Sequence, residues 1–234
     1  MKIICIICAR KSSKGIKNKN IKSFFGKPLI LHTINQAKKL KIFDKIICSS
    51  DSKYIRLIAN KAGVDLTINR PAKLANDISP KIETIKHSLI FSESHFNSKF
   101  DLIVDLDITT PLRSLDDIKQ SIKLIKSKKL ASNLITITPS KKNPYFNMVE
   151  IDKEGKVQKS KKSNLKITSR QMAPKVYDIN AGIYVWNRQS LLKNKDVINK
   201  NTLFYITPYE RSIDIDTNTD FELVKFFYKQ KKLN

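Results

Sequence analysis

Apolar and polar positions follow two rhythms along this chain. Short apolar runs, of the kind that burial on both faces of a parallel strand produces, fall at 2–9, 45–49, 102–106, 134–138, 180–186 and 213–215. Between them apolar residues recur at three- and four-residue spacing. Leu29, Ile30, Thr33, Ile34, Ala37 and Leu40 make one stripe behind Pro28, which suits a first helical turn. The same period marks 52–61, 82–91, 115–125 and 221–228. Strand-then-helix order predicts an α/β fold with a largely parallel sheet covered by helices.

The stretch 140–175 breaks this rhythm with NPYF, a lysine-rich KSKKSN and few long apolar periods. It predicts a hairpin or arm projecting from the sheet, with a solvated loop as the alternative. No repeat or low-complexity linker divides the rest, and 234 residues with 41% apolar side chains suit one domain over 1–234.

Net charge of +24 raises nucleic-acid binding. The lysines are scattered, however, and no Arg-rich run, RNP-type aromatic motif or zinc-finger spacing accompanies them, so the expectation is no nucleic acid. A basic surface still favours small anions. The apolar stretch before Arg10 spans only about seven residues, too short for a membrane span or a signal h-region. Cys5 and Cys8 have C-x-x-C spacing, but three residues apart on a strand they face opposite sides and cannot share a metal or a disulfide. A reduced, cytoplasmic protein without membrane contact is expected.

Three segments carry candidate chemistry. The loop after the first strand, Arg10 to Gly15 followed by Lys17, Lys19 and Asn20, gathers cations, serine hydroxyls and backbone N–H groups where open α/β sheets bind ligands. It is neither a Walker loop nor a G-x-G-x-x-G, so it is either a phosphate grip or more of the chain's abundant lysine. Near the far end, Asp214 and Asp216 share one face if the backbone is extended, which suits a hard cation such as Mg²⁺; alternatively Asp216 caps the helix that follows. In the middle, Asp105 and Asp107 end a strand ahead of Thr109, Pro111 and Arg113. A D-x-D there also occurs in glycosyltransferases, and Arg113 either contacts a phosphate or pairs with Asp116 or Asp117. His32, His87 and His95 lack metal-ligand spacing and are expected to be structural or on the surface.

Taken in order, ARKSSKGIKNKNIKSFFGKPLI, NRPAKLANDISP, DLDITTPLRSLDDI, YDINAGIYVW and SIDIDTNTDFELVKFF resemble the acylneuraminate cytidylyltransferase family across almost the whole chain. The resemblance implies a three-layer α/β/α Rossmann-like nucleotidyltransferase fold acting as a homodimer, with 140–175 as the dimerisation arm. It implies CTP and a nonulosonic acid as substrates and Mg²⁺ as cofactor. Arg10, Ser13, Lys14, Lys19 and Asn20 would form the CTP loop, with Arg70 and Asp77 lining the nucleotide pocket. Asp214 and Asp216 would hold the metal. Asp107, Thr109, Arg113, Asn180 and Tyr184 would fall on the sugar side, and Lys142 would reach the sugar's carboxylate across the dimer.

Two departures stand out. Lys11 and Ser12 replace two glycines of the family's first loop, and Asp107 stands where Gln is common, with Ile108 in place of Pro. A carboxylate at 107 repels an acid substrate unless a metal or an amino group offsets it, which points towards a di-amino sugar acid.

Overall fold

The computed structural model describes residues 1–13, 15–164 and 166–233. Its strands are β1 (Ile3–Cys8), β2 (Ser23–Phe24), β3 (Lys27–Pro28), β4 (Lys45–Ser50), β5 (Leu66–Asn69), β6 (Leu102–Leu106), β7 (Asn133–Pro139), β8 (Val149–Ile151), β9 (Val157–Lys159), β10 (Tyr177–Asn187) and β11 (Thr202–Ile206). Its α-helices are α1 (Leu29–Leu40), α2 (Lys53–Lys61), α3 (Lys81–Phe96), α4 (Leu115–Ser127), α5 (Arg188–Lys193), α6 (Tyr209–Ser212) and α7 (Asn218–Leu233). Seven strands form one sheet in the order β11-β7-β10-β6-β1-β4-β5, in which β10 alone runs antiparallel to its neighbours.

Alternation along β1 divides the core. Ile3, Cys5 and Ile7 pack with α1, α2, α4 and α7, whereas Ile4 and Ile6 pack with α3 and α5 on the other face. Helices thus cover both faces, and each fully buried Ile or Leu contributes about 1.5–3 kcal/mol relative to exposure. Cys5 and Cys48 share one cluster while Cys8 packs against the other, and all three thiols are free. The predicted stripe on α1 is buried at every position, but Pro28 ends β3 and caps the helix rather than joining its first turn.

One predicted strand is absent. Ile213 and Ile215 are buried, which gives the segment its strand-like alternation, yet it forms no ladder; Ile215 N–H donates to the Thr109 carbonyl at 2.9 Å and the chain passes from α6 to α7. Strands β5 and β11, which the sequence pattern did not single out, occupy the two edges. Within 140–175 the β8–β9 hairpin forms a separate two-stranded sheet with every position exposed.

Candidate active site

The carboxyl ends of β1, β5 and β6 and the segment between α6 and α7 enclose a cleft of about 370 Å³. The loop leaving β1 is fixed by its backbone: Ala9 N–H donates to Ser49 O at 2.9 Å, Lys11 N–H to Asp51 Oδ1 at 2.8 Å, and the buried Asn20 amide to Arg10 O at 2.9 Å. Arg10, Ser13, Lys19 and Asn20 line the cleft; Lys14 lies outside the described residues. Neither Lys11 nor Ser12 takes a positive φ, so the family's glycines can be replaced here without backbone strain. Gly15 is different: a Cβ there would stand 1.9 Å from the Asp216 carbonyl oxygen, so only glycine lets this loop press against the acidic segment.

Beyond β5, Arg70 is buried, with Nη2 donating to Ser49 O at 2.7 Å while still lining the cleft. Asp77 forms an ion pair with Arg10 across the opening, on a turn that Asn76 Oδ1 holds by accepting from Ile78 N–H at 3.0 Å and Ser79 N–H at 2.7 Å. Nucleotide-side candidates from two distant segments therefore meet.

Asp107, Thr109, Asp214 and Asp216 line the same cleft. Helix α7 is capped not by Asp216 but by Thr217, whose Oγ1 accepts from Asp220 N–H at 3.2 Å while its own N–H donates to Asp220 Oδ2 at 2.7 Å. That leaves the Asp216 carboxylate to Lys19, whose ammonium sits 2.9 Å away and also donates to Ile215 O at 2.6 Å. Asp214 Oδ1 is buried without a hydrogen-bond partner. Burial first, and then the charge of Asp107, push the Asp214 carboxyl up to about 6.

Sequence reasoning missed Lys81. Its ammonium lies 2.6 Å from Asp105 Oδ2 and 2.6 Å from Asp107 Oδ2, and lysine is too common in this chain to have marked it out. Burial opposes ionisation of Asp107, but the Lys81 charge and the bonds from Thr109 N–H and Oγ1 outweigh it and hold this carboxyl well below the usual range. The repulsion expected of a carboxylate at 107 is thus met by the protein's own cation. Cys8 also lines the cleft, but burial pushes its thiol up to about 12, which leaves no thiolate nucleophile at neutral pH.

Four sugar-side candidates, Arg113, Asn180, Tyr184 and Lys142, lie outside this lining. Arg113 is 2% exposed and spends its guanidinium on Gly182 O and Asp107 O, on Thr33 Oγ1 at 2.8 Å and on Gln36 Oε1 at 3.0 Å; it meets neither Asp116 nor Asp117. Arg113 therefore buttresses the Asp107 turn. Asn180 is buried in a bulge of β10, its Oδ1 accepting from Thr136 Oγ1 at 2.5 Å and its amide donating to Thr207 Oγ1 at 2.7 Å and Ser212 Oγ at 3.0 Å. It ties the segment that leads into Asp214 to the sheet. Tyr184 is buried against Lys81, with 5.3 Å from ammonium to ring centroid. Lys142 is exposed on the 140–175 segment. Asp117 instead takes a bidentate pair from Arg211 at 2.9 Å while closing the capping box of α4. Asp117→Ala should cost about 2–4 kcal/mol in chemical denaturation, with a far smaller effect on substrate KM.

A mostly parallel sheet between helix layers, with a cationic loop after its first strand facing a pair of aspartates, is an arrangement that suits a nucleotidyltransferase. The cytidylyltransferase family model matches residues 4–233, and the chain belongs to that family. It is 43% identical to CMP-N,N'-diacetyllegionaminic acid synthase of Campylobacter jejuni subsp. jejuni serotype O:2, over 99% of this chain and 97% of that protein. It is also 43% identical to Post-translational flagellin modification protein B of Campylobacter coli, again over 99% and 97%. With N-acylneuraminate cytidylyltransferase of Escherichia coli O18:K1:H7 it shares 32% identity over 99% of this chain and 53% of that protein. The solved CMP:2-keto-3-deoxy-manno-octonic acid synthetase complexed with CTP superposes with a TM-score of 0.71 at 14% identity, covering 99% of this chain and 100% of that one, a likeness of fold.

Proposed function

We propose that this enzyme couples CMP from CTP to the anomeric hydroxyl of a nonulosonic acid, with release of pyrophosphate, and that its acceptor is a di-amino acid of the legionaminic type. The observation that carries the reading is the meeting of the β1 loop with the acidic segment in one cleft, through Lys19 and Asp216. The 43% identity to a diacetyllegionaminic acid synthase supports the choice of acceptor. A glycosyltransferase reading of Asp105-Leu106-Asp107 loses its ground, because Asp105 is wholly buried and paired with Lys81.

The chemistry asks the protein to align and to neutralise rather than to form covalent bonds. Arg10, Lys19 and Lys14 grip the triphosphate, for which Arg10 exchanges Asp77 for phosphate oxygens. The acceptor hydroxyl attacks the α-phosphorus, the new O–P bond forms, the bond to pyrophosphate breaks, and the hydroxyl proton is released. Asp214 and Asp216 would hold Mg²⁺: the buried, unpartnered Asp214 Oδ1 fits a hard cation that takes one or two carboxylates and completes its shell with water and phosphate. When bound, that ion supplies charge neutralisation at the phosphates and lowers the pKa of a ligated hydroxyl.

A homodimer is supported by the β8–β9 hairpin, where Val149, Ile151 and Val157 are 58%, 73% and 67% exposed on a sheet too small to stand alone. Residues 140–175 would then be the dimerisation arm, carrying Lys142 towards the partner's sugar. No described helix is long and apolar enough to cross a membrane. Pyrophosphate release should require CTP and a nonulosonic acid together, with diacetyllegionaminic acid ahead of N-acetylneuraminic and pseudaminic acids. Equal release from ATP, GTP or UTP, or release indifferent to the sugar, rejects this assignment.

A further inference from the structure

Lys81 opens α3, the crossover between β5 and β6, and its side chain reaches the floor of the cleft between two carboxylates of different situation. Asp105 is fully buried behind the cleft, and neither of its oxygens makes a hydrogen bond of good angle, so the ion pair carries its charge. Asp107 lines the cleft. Its Oδ1 accepts twice from Thr109, and its Oδ2 accepts once from Lys81, leaving one lone pair of Oδ2 for a donor in the cleft.

The sheet order divides the cleft. Arg70 and Asp77 follow β5, on one side of β1, whereas Asp107 follows β6 on the other. If the loop after β1 holds the phosphates and the β5 side the nucleoside, the β6 side is left to the acceptor. Among the described residues, the other cations lining the cleft are already engaged: Arg10 with Asp77, Lys19 with Asp216, Arg70 with a carbonyl. An acceptor that is itself an anion therefore approaches Asp107, and Lys81 is the charge that offsets it.

We infer, on the functional reading above, that Lys81 is a specificity-determining residue of the acceptor side: it keeps Asp107 as an oriented acceptor for a hydroxyl or amide N–H of the sugar and cancels the field that would expel the sugar's carboxylate. Lys81→Met alone would leave Asp105 buried and orphaned, so the variant for the test is K81M/D105N, which removes both charges of the buried pair and leaves Asp107 uncompensated. Steady-state pyrophosphate release should show the sugar's KM raised about tenfold or more, equivalent to about 1.4 kcal/mol, with the KM for CTP within about threefold. The rise should shrink at 0.5 M salt, as about a 3–8 Å screening length requires for a charge effect in an open cleft. Adding Asp107→Asn should bring the sugar's KM back to within about threefold of wild type, since the amide oxygen still accepts while the charge is gone. K81R, which keeps the cation but not the shape of the ammonium, should raise the sugar's KM clearly less than K81M/D105N does and leave the KM for CTP within about threefold. A sugar KM that rises equally in K81R, or that stays raised and salt-insensitive in K81M/D105N/D107N, overturns the inference. Wild-type protein that releases no pyrophosphate with any nonulosonic acid overturns the functional reading and this inference with it.

Discussion

Asp214→Ala is expected to lower CTP- and sugar-dependent pyrophosphate release by on the order of 10³-fold, the scale seen when a fixed group that stabilises developing charge is removed. Its fold should survive, because Asp214 has no hydrogen-bond partner at Oδ1 and belongs to neither hydrophobic cluster. Stability supplies a second, independent readout. The Asp214 carboxyl sits at about 6 in the folded chain, through burial and then the nearby Asp107 charge, against an ordinary value near 3.9 when unfolded. The folded state binds that proton more tightly, so this group subtracts stability as pH rises from roughly 4 to 6 and the full penalty persists above. In chelator, Asp214→Asn should therefore melt higher than wild type at pH 7.5 and at the same temperature at pH 4. Added Mg²⁺ should raise the melting temperature of wild type and leave the variant unmoved. Identical melting profiles at pH 7.5, together with a metal-responsive variant, would remove Asp214 from the proposed metal site.

Gly15→Ala is expected to cut kcat/KM for CTP about 10²-fold while changing the melting temperature little. The added methyl would lie 1.9 Å from the Asp216 carbonyl oxygen and 3.0 Å from its carbon, and both belong to rigid backbone. Reaching ordinary contact near 3.5 Å demands a displacement of roughly 1 Å or more, and misplacement on that scale costs about 10²-fold in an aligned reaction. No positive φ is involved, so backbone strain does not confuse the result. A Gly15→Ala variant as active as wild type would mean that the loop and the acids do not need this contact.

The sequence pattern located the long, doubly buried strands and the striped helices because their periods report burial directly, as β1 and α1 show. It failed where burial and hydrogen bonding part company. Ile213 and Ile215 alternate like a strand because both side chains are buried, but one bond to Thr109 does not make a ladder. Edge strand β11 escaped notice since its Phe204 and Ile206 stay exposed and erase the polar-apolar contrast. In the site, residue types in order were enough to indicate Arg10, Lys19, Asp107, Asp214 and Asp216, which share the cleft. They could not distinguish Arg113 and Asn180, whose polar groups turn inward to brace backbone, nor raise Lys81 above the other lysines.

The bond from Lys19 to the Ile215 carbonyl joins residues 196 positions apart. During synthesis the cationic loop leaves the ribosome long before its acidic counterpart, and nothing nearby in sequence can close the site in its place. Loops of that length close slowly and late, because the entropy of bringing their ends together is met before any contact rewards it. Catalytic competence is therefore among the last properties this polypeptide acquires, and nascent chains released ahead of Asp216 would carry the cationic loop without the acids it faces.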